Sequence, residues 1–200
     1  MASRALIVVD VQNEYVSGKM PITYPDVHES LANVGRAMDA AASQSYPIAV
    51  IQHRASPDSP IFAADSDGYA LCDVVAGRHF DVRLDKELPS SFTDTGLDAW
   101  LRARDVDTIV VVGFMTQLCV ESTIRDGVHR GYDVEFLADA AGTLNLSNQS
   151  GSASAQVIHE TVKVVLQSEF AAVTTTAAWI DDVEAGRSPV RSNIVESSRP

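Results

Sequence analysis

Apolar residues fall along this chain in short unbroken runs, separated by segments in which they recur every three or four positions. Ala5-Leu-Ile-Val-Val9 is the first run, and Asp10 closes it. A run without polar alternation predicts a strand covered on both faces. Leu31, Val34, Met38 and Ala41 then follow at helical spacing, and Pro47-Ile-Ala-Val-Ile-Gln52 predicts a second strand. Residues 54–79 hold Pro57, Pro60, Gly68, Gly77 and many Asp and Ser, so they read as a long irregular connection, of the kind that often carries function.

The alternation then resumes. Phe80 to Leu84 predicts a weaker strand, and Asp94 or Thr95 can cap a helix through Leu97, Trp100 and Leu101. Thr108 to Val112 is the strongest strand signal. A helical pattern carrying Cys119 ends at Gly131, and Tyr132 to Ala138 predicts the fifth strand. Residues 150–167 predict another helix, Phe170 to Thr174 a sixth strand, and a final helix includes Trp179 and Ile180. Strand and helix alternating from end to end predict an α/β fold built on a mainly parallel sheet. Residues 1–185 are expected to form one domain, and the polar residues 186–200 a tail docked on that domain or on a neighbouring subunit.

Composition narrows the function. The chain has 200 residues, 46% of them apolar, which is enough for one well-buried core. Its net charge of −12, with no run among its 15 basic residues, argues against nucleic-acid binding and against an anionic membrane surface. Two cysteines, Cys72 and Cys119, are too few for a disulfide scaffold, and the N-terminal apolar run is too short for a signal peptide. A soluble cytoplasmic protein acting on a small molecule is expected.

In a parallel sheet, ligands bind beyond the carboxyl ends of the strands. Asp10, His53, Lys86 and Cys119 all follow predicted strands at that edge. Each has an ordinary alternative: an isolated cysteine is usually a small buried hydrophobe, Asp10 could cap a turn, and Lys86 could be a solvated charge. The shared edge favours chemistry over these. Cys119 also opens a helical pattern, where unpaired N–H groups favour thiolate over thiol. Cys72 has no such placement and reads as structural. His28, His53, His79, His129 and His159 show no paired ligand spacing, and His129 and His159 sit in helical patterns as surface or core residues.

Three separated segments carry a resemblance. Val9-Asp10-Val-Gln-Asn13-Glu-Tyr15, Lys86-Glu-Leu-Pro-Ser90-Ser-Phe92-Thr-Asp-Thr95 and Gly113-Phe-Met-Thr116-Gln-Leu-Cys119-Val-Glu-Ser-Thr123-Ile-Arg-Asp resemble, in order, the motifs of the isochorismatase-like cysteine hydrolases, and Asp139-Ala140 matches the family's acid-Ala pair. The resemblance covers roughly residues 4–180. It implies a three-layer α/β/α sandwich around a six-stranded, mainly parallel sheet. It also implies Asp10 as general base, Lys86 as catalytic cation, Cys119 as nucleophile, a cis Phe114–Met115 bond, and an oxyanion hole of the Met115 and Cys119 N–H groups. Gln12, Tyr15, His53, Phe62, Phe92 and Gln117 are the pocket candidates. Nicotinamidases in the family carry a metal-binding Asp-x-His after the second strand, whereas this chain has Gln52-His53-Arg54, so neither metal nor other cofactor is expected. Family members associate as dimers or tetramers, which makes a homo-oligomer the expectation here. The implied activity is cleavage of a C–N bond in a small amide or ureido compound through a thioester. Enol-ether hydrolysis of the isochorismatase type and a non-catalytic ligand-binding module are the alternatives.

Overall fold

The computed structural model describes residues 2–199. Six strands form one sheet: β1 (Arg4–Val9), β2 (Ile48–His53), β3 (Val82–Lys86), β4 (Thr108–Phe114), β5 (Asp133–Gly142) and, last in the chain, the short strand Ala172–Thr174. Their spatial order is β3-β2-β1-β4-β5 followed by that last strand, and all five pairings are parallel. Connections after β1 step outward in one direction, and those after β4 step in the other. The switch between β1 and β4 opens a crevice at their carboxyl ends.

Alternate residues of the central strands feed two cores. Ala5, Ile7, Val9, Ile109 and Val111 pack with Leu97 and Leu101 of α3 (Leu97–Arg102), Ile124 of α4 (Glu121–His129), and Val162 and Leu166 of α5 (Ala155–Gln167). Leu6, Val8, Val110 and Val112 face the other way, onto Val34 and Met38 of α1 (Val27–Ser43), Val75 of α2 (Asp73–Ala76), and Trp179 and Val183 of α6 (Thr176–Glu184). This period of two is why β1 and β4 read as unbroken apolar runs: both faces are covered. The result is the three-layer α/β/α sandwich. Among the described residues no helix is long and apolar enough to cross a membrane.

Several boundaries differ from the sequence expectation. The third strand occupies 82–86 rather than 80–84, and α3 follows Gly96, with Thr95 Oγ1 accepting from the Leu97 N–H at 3.3 Å. The helix expected from residue 150 begins at Ala155, behind a small hairpin of β6 (Leu146–Asn148) and β7 (Gly151–Ala153), so Ala172–Thr174 is β8. Ser154 caps α5 by accepting from the Val157 N–H.

At the amino edge of the sheet, Arg4 makes a bidentate pair with Glu135, which also accepts from Trp179 Nε1 at 2.7 Å. Arg4 Nη2 further donates to the Arg187 carbonyl and the Ser188 hydroxyl, which ties the start of the tail to β1. Beyond it, α7 (Ile194–Ser197) is exposed.

Gly113 sets how closely β4 approaches β1. Its φ is +114°, and a Cβ there would fall on the Val9 carbonyl. Gly113→Ala is expected to cost about 3 kcal/mol or more, because neither backbone can yield without breaking the ladder. Urea unfolding checks this.

Candidate active site

Asp10 is the first residue past β1, and its φ of +52° is uncommon for a residue with a side chain. Its N–H donates to the Ile51 carbonyl at 2.9 Å, so the left-handed turn is anchored to β2. Lys86 ends β3, in register with His53 at the end of β2. Lys86 Nζ lies 2.7 Å from Asp10 Oδ2, with both side chains at 0% exposure. Among the described residues, neither Asp10 oxygen nor the Lys86 ammonium has a further nitrogen or oxygen partner, and both interact with the Cys119 thiol. A buried pair whose remaining neighbour is a thiol contrasts with Arg4–Glu135 and points to a role in chemistry.

Cys119 comes to the pair from β4. After Phe114 the peptide bond to Met115 is cis, and residues Thr116–Val120 form a wide π-type turn leading into α4. Met115 O accepts from both the Leu118 and Val120 N–H groups. Among the described residues, no acceptor takes the Met115 N–H. Cys119 is 3% exposed. Its carbonyl accepts from Thr123 Oγ1 at 2.7 Å, and Thr123 Oγ1 in turn accepts from the Ser91 N–H at 3.0 Å. Ser90 Oγ donates to Asp126 at 2.6 Å. The loop after Lys86 is thereby clipped to the helix after Cys119, which fixes the cation relative to the sulfur.

Burial pushes the Cys119 thiol up to about 12, and the Asp10 charge adds to this against the opposing pull of Lys86. This corrects the expectation of a thiolate at a helix start: Cys119 sits within the turn rather than at the first residue of α4, and desolvation is the largest influence on its thiol. Burial also raises Asp10, opposed by Lys86, so the carboxylate is a stronger base than one in water. Lys86 is lowered by burial, but Asp10 and Cys119 more than offset that and its net shift is upward. A protonated thiol beside a strengthened base and a held cation is arranged for proton transfer from sulfur to carboxylate.

The pocket candidates divide. Tyr15 lies edge-on to Phe62 at 5.1 Å and to Phe114 at 5.7 Å, and burial together with Asp10 and Cys119 raises its hydroxyl well above the ordinary value, so it stays a donor. His53 is edge-on to Phe62 at 5.2 Å. Among the described residues its buried Nδ1 has no partner, and burial followed by Lys86 lowers its pKa. Gln117 lies in the turn with its buried Oε1 likewise unpartnered among the described residues.

Gln12 and Phe92 are placed otherwise. The Gln12 amide donates to the His53 and Tyr69 carbonyls and accepts from the His53 N–H at 2.8 Å, so it braces the wall. Phe92 stacks on Tyr132 at 5.8 Å and packs in the core beneath α4. Asp139 accepts from the Thr176 N–H and hydroxyl at the start of α6. Arg54 and Glu87, which the motifs did not single out, line two adjoining hollows of about 490 and 580 Å³. His53 borders one and Lys86 the other.

Sequence reasoning also missed the contact behind the turn, where His159 Nδ1 lies 2.8 Å from Thr116 Oγ1. Burial, followed by Lys163, pushes His159 down to about 4. The unfolded chain then binds a proton below pH ~6.5 that the native state refuses until about pH 4, so stability is lost as pH falls through that window, by up to about 3 kcal/mol. Urea unfolding at pH 7 and pH 4.5 should show a smaller loss in His159→Gln than in the natural chain.

Known proteins share this arrangement of elements. The family model described as Isochorismatase domain matches residues 4–178. The crystal structure of a candidate isochorismatase from Burkholderia xenovorans LB400 is 51% identical, with a TM-score of 0.97 over 98% of this chain and 94% of that one. A cysteine hydrolase from Pseudomonas syringae pv. phaseolicola 1448A is 30% identical, with a TM-score of 0.83 over 92% of this chain and 93% of that one. Ureidoacrylate amidohydrolase RutB of Methylobacterium radiotolerans is 33% identical over 92% of this chain and 78% of its own length. On the family match across most of its length, the chain belongs to the isochorismatase family of hydrolases.

Proposed function

We propose that the protein hydrolyses a C–N bond of a small amide or ureido compound through a thioester on Cys119. The observation that carries this reading is the fully buried Asp10–Lys86 pair, both of whose charges act on the Cys119 thiol, Asp10 holding its proton and Lys86 favouring its thiolate. Similarity to an amidohydrolase of ureidoacrylate and to a cysteine hydrolase supports it.

Asp10 accepts the Sγ proton as sulfur attacks the carbonyl carbon, and Lys86 holds the negative charge that passes between them. The oxyanion takes hydrogen bonds from the Met115 and Cys119 N–H groups, worth about 3 kcal/mol for each donor. Collapse breaks the C–N bond, and protonated Asp10 returns its proton to the leaving nitrogen. Water then gives a proton to Asp10 and attacks the thioester, the C–S bond breaks, and Asp10 reprotonates the sulfur. Tyr15, Phe62, His53 and Gln117 shape the acyl pocket.

Intact-mass spectrometry after rapid mixing with a panel of small amides and ureido compounds tests the proposal. The expected result is an acyl adduct on Cys119 whose mass names the acyl group. Turnover of isochorismate by Cys119→Ala at the rate of the natural enzyme would overturn it in favour of enol-ether chemistry.

A further inference from the structure

The turn that carries Cys119 is held at both ends. One end is the Thr123–Ser91 clip on the Cys119 carbonyl described above. The other is Thr116, the first residue of the turn, 0% exposed, whose hydroxyl meets His159 of α5. His159 is itself 1% exposed and lies edge-on to the Tyr24 ring at 5.7 Å. Tyr24 OH donates to Glu160 at 3.1 Å, and Glu160 also accepts from Lys163 Nζ at 2.8 Å, so the imidazole is framed by a fixed ring and a paired acid and base. Behind it lies a hollow of about 440 Å³ lined by Tyr24, Asp139, His159 and Lys163.

We propose that His159 is a positioning residue for the nucleophile, acting through its Nδ1 on Thr116 Oγ1. The inference rests on Cys119 being the nucleophile. Thr116 directly follows Met115, whose N–H is the first oxyanion donor of the proposed reaction, and stands three residues before the sulfur. A hydroxyl held at this point fixes the start of the turn and so aims both groups. Packing alone does not call for the polar pair: two apolar side chains of the same shape would fill the space and leave no buried polar atom unpaired, a replacement that is close to neutral for stability. A polar contact kept where an apolar one would serve stability is explained by geometry at Cys119.

The test is the rate of Cys119 alkylation by iodoacetamide, read at each cysteine by mass spectrometry with Cys72 as internal reference. Unfolding temperature is measured in parallel, and kcat and KM on any amide the enzyme turns over. Thr116→Val and His159→Gln should slow Cys119 alkylation about ten- to a hundredfold and lower kcat with little change in KM, since small misplacement of reacting groups has effects of that size. Thr116→Ser should restore the rate. The double variant Thr116→Val/His159→Leu should melt close to the natural protein and yet remain slow, and its loss should match that of Thr116→Val rather than multiply it. Alkylation at the natural rate in Thr116→Val, with an acyl adduct on Cys119 of the natural protein, would overturn the positioning role and leave the nucleophile assignment standing. Amide turnover by the natural protein with no acyl adduct on Cys119 would overturn the nucleophile assignment itself.

Discussion

Replacing Cys119 by alanine is expected to lower amide hydrolysis by roughly 10⁴- to 10⁶-fold while the protein stays folded. The sulfur is the only atom lost, and removing one buried atom of that size costs on the order of 1 kcal/mol of stability. The ion pair beneath it keeps both partners, so no buried charge is exposed by the change. Steady-state rates of ammonia or amine release, measured beside thermal unfolding, separate the two effects. A variant that unfolds like the natural protein and still turns over amides at its rate would move the chemistry to Asp10 alone.

Lys86→Met is expected to destabilise the fold by about 3–5 kcal/mol near neutral pH, the usual cost of leaving a buried charge without its partner. Asp10 is 0% exposed and would face an apolar side chain in place of an ammonium. The pH dependence has a definite sign. With Lys86 gone, burial is opposed only by Cys119 and His53, so the folded pKa of Asp10 rises further above the unfolded value near 4 and the native state binds the extra proton between the two. Stability of the variant therefore falls as pH rises through that window. The double variant Asp10→Asn/Lys86→Met removes both charges and keeps a residue that tolerates the left-handed turn at position 10, where φ is +52°. It should recover most of the loss while remaining inactive. Urea unfolding of the three proteins at pH 6 and pH 8 checks the sign and the recovery; equal stability of Lys86→Met at both values would show that Asp10 is already ionised in the folded variant at pH 6.

What could be read from the amino-acid order depends on how each element is buried. β1 and β4, covered on both faces, show as unbroken apolar runs and are placed within two residues of their observed ends. β3 lies at the edge of the sheet with Arg83 and Asp85 exposed, so its pattern is faint and its position shifts. β6 and β7 are three residues each and mostly exposed, and nothing in Leu146-Ser-Asn or Gly151-Ser-Ala marks a strand. The catalytic candidates were legible because chemistry at strand ends leaves a positional signature: Asp10 after β1, Lys86 closing β3, Cys119 beyond β4.

The surrounding wall was not legible in the same way. Gln12 is occupied by main-chain carbonyls from β2 and from the irregular 54–79 segment, and Phe92 points into a core defined by Tyr132. These directions are set by tertiary contacts that no local period announces. His159 is a further case, since its partner Thr116 lies 43 positions earlier in the chain.

The sheet carries a buried ion pair at each end, and the two are built differently. Arg4–Glu135 has its guanidinium and carboxylate filled by hydrogen bonds, including one from Trp179. Among the described residues, Asp10–Lys86 has little beyond the Cys119 thiol. Directed evolution that rewards heat resistance alone would therefore preserve the amino edge but tolerate paired neutral replacements at the carboxyl edge, where removing both charges together costs little stability. Such a campaign would pass folded proteins with no turnover, and any useful selection on this scaffold has to read catalysis and melting in the same round.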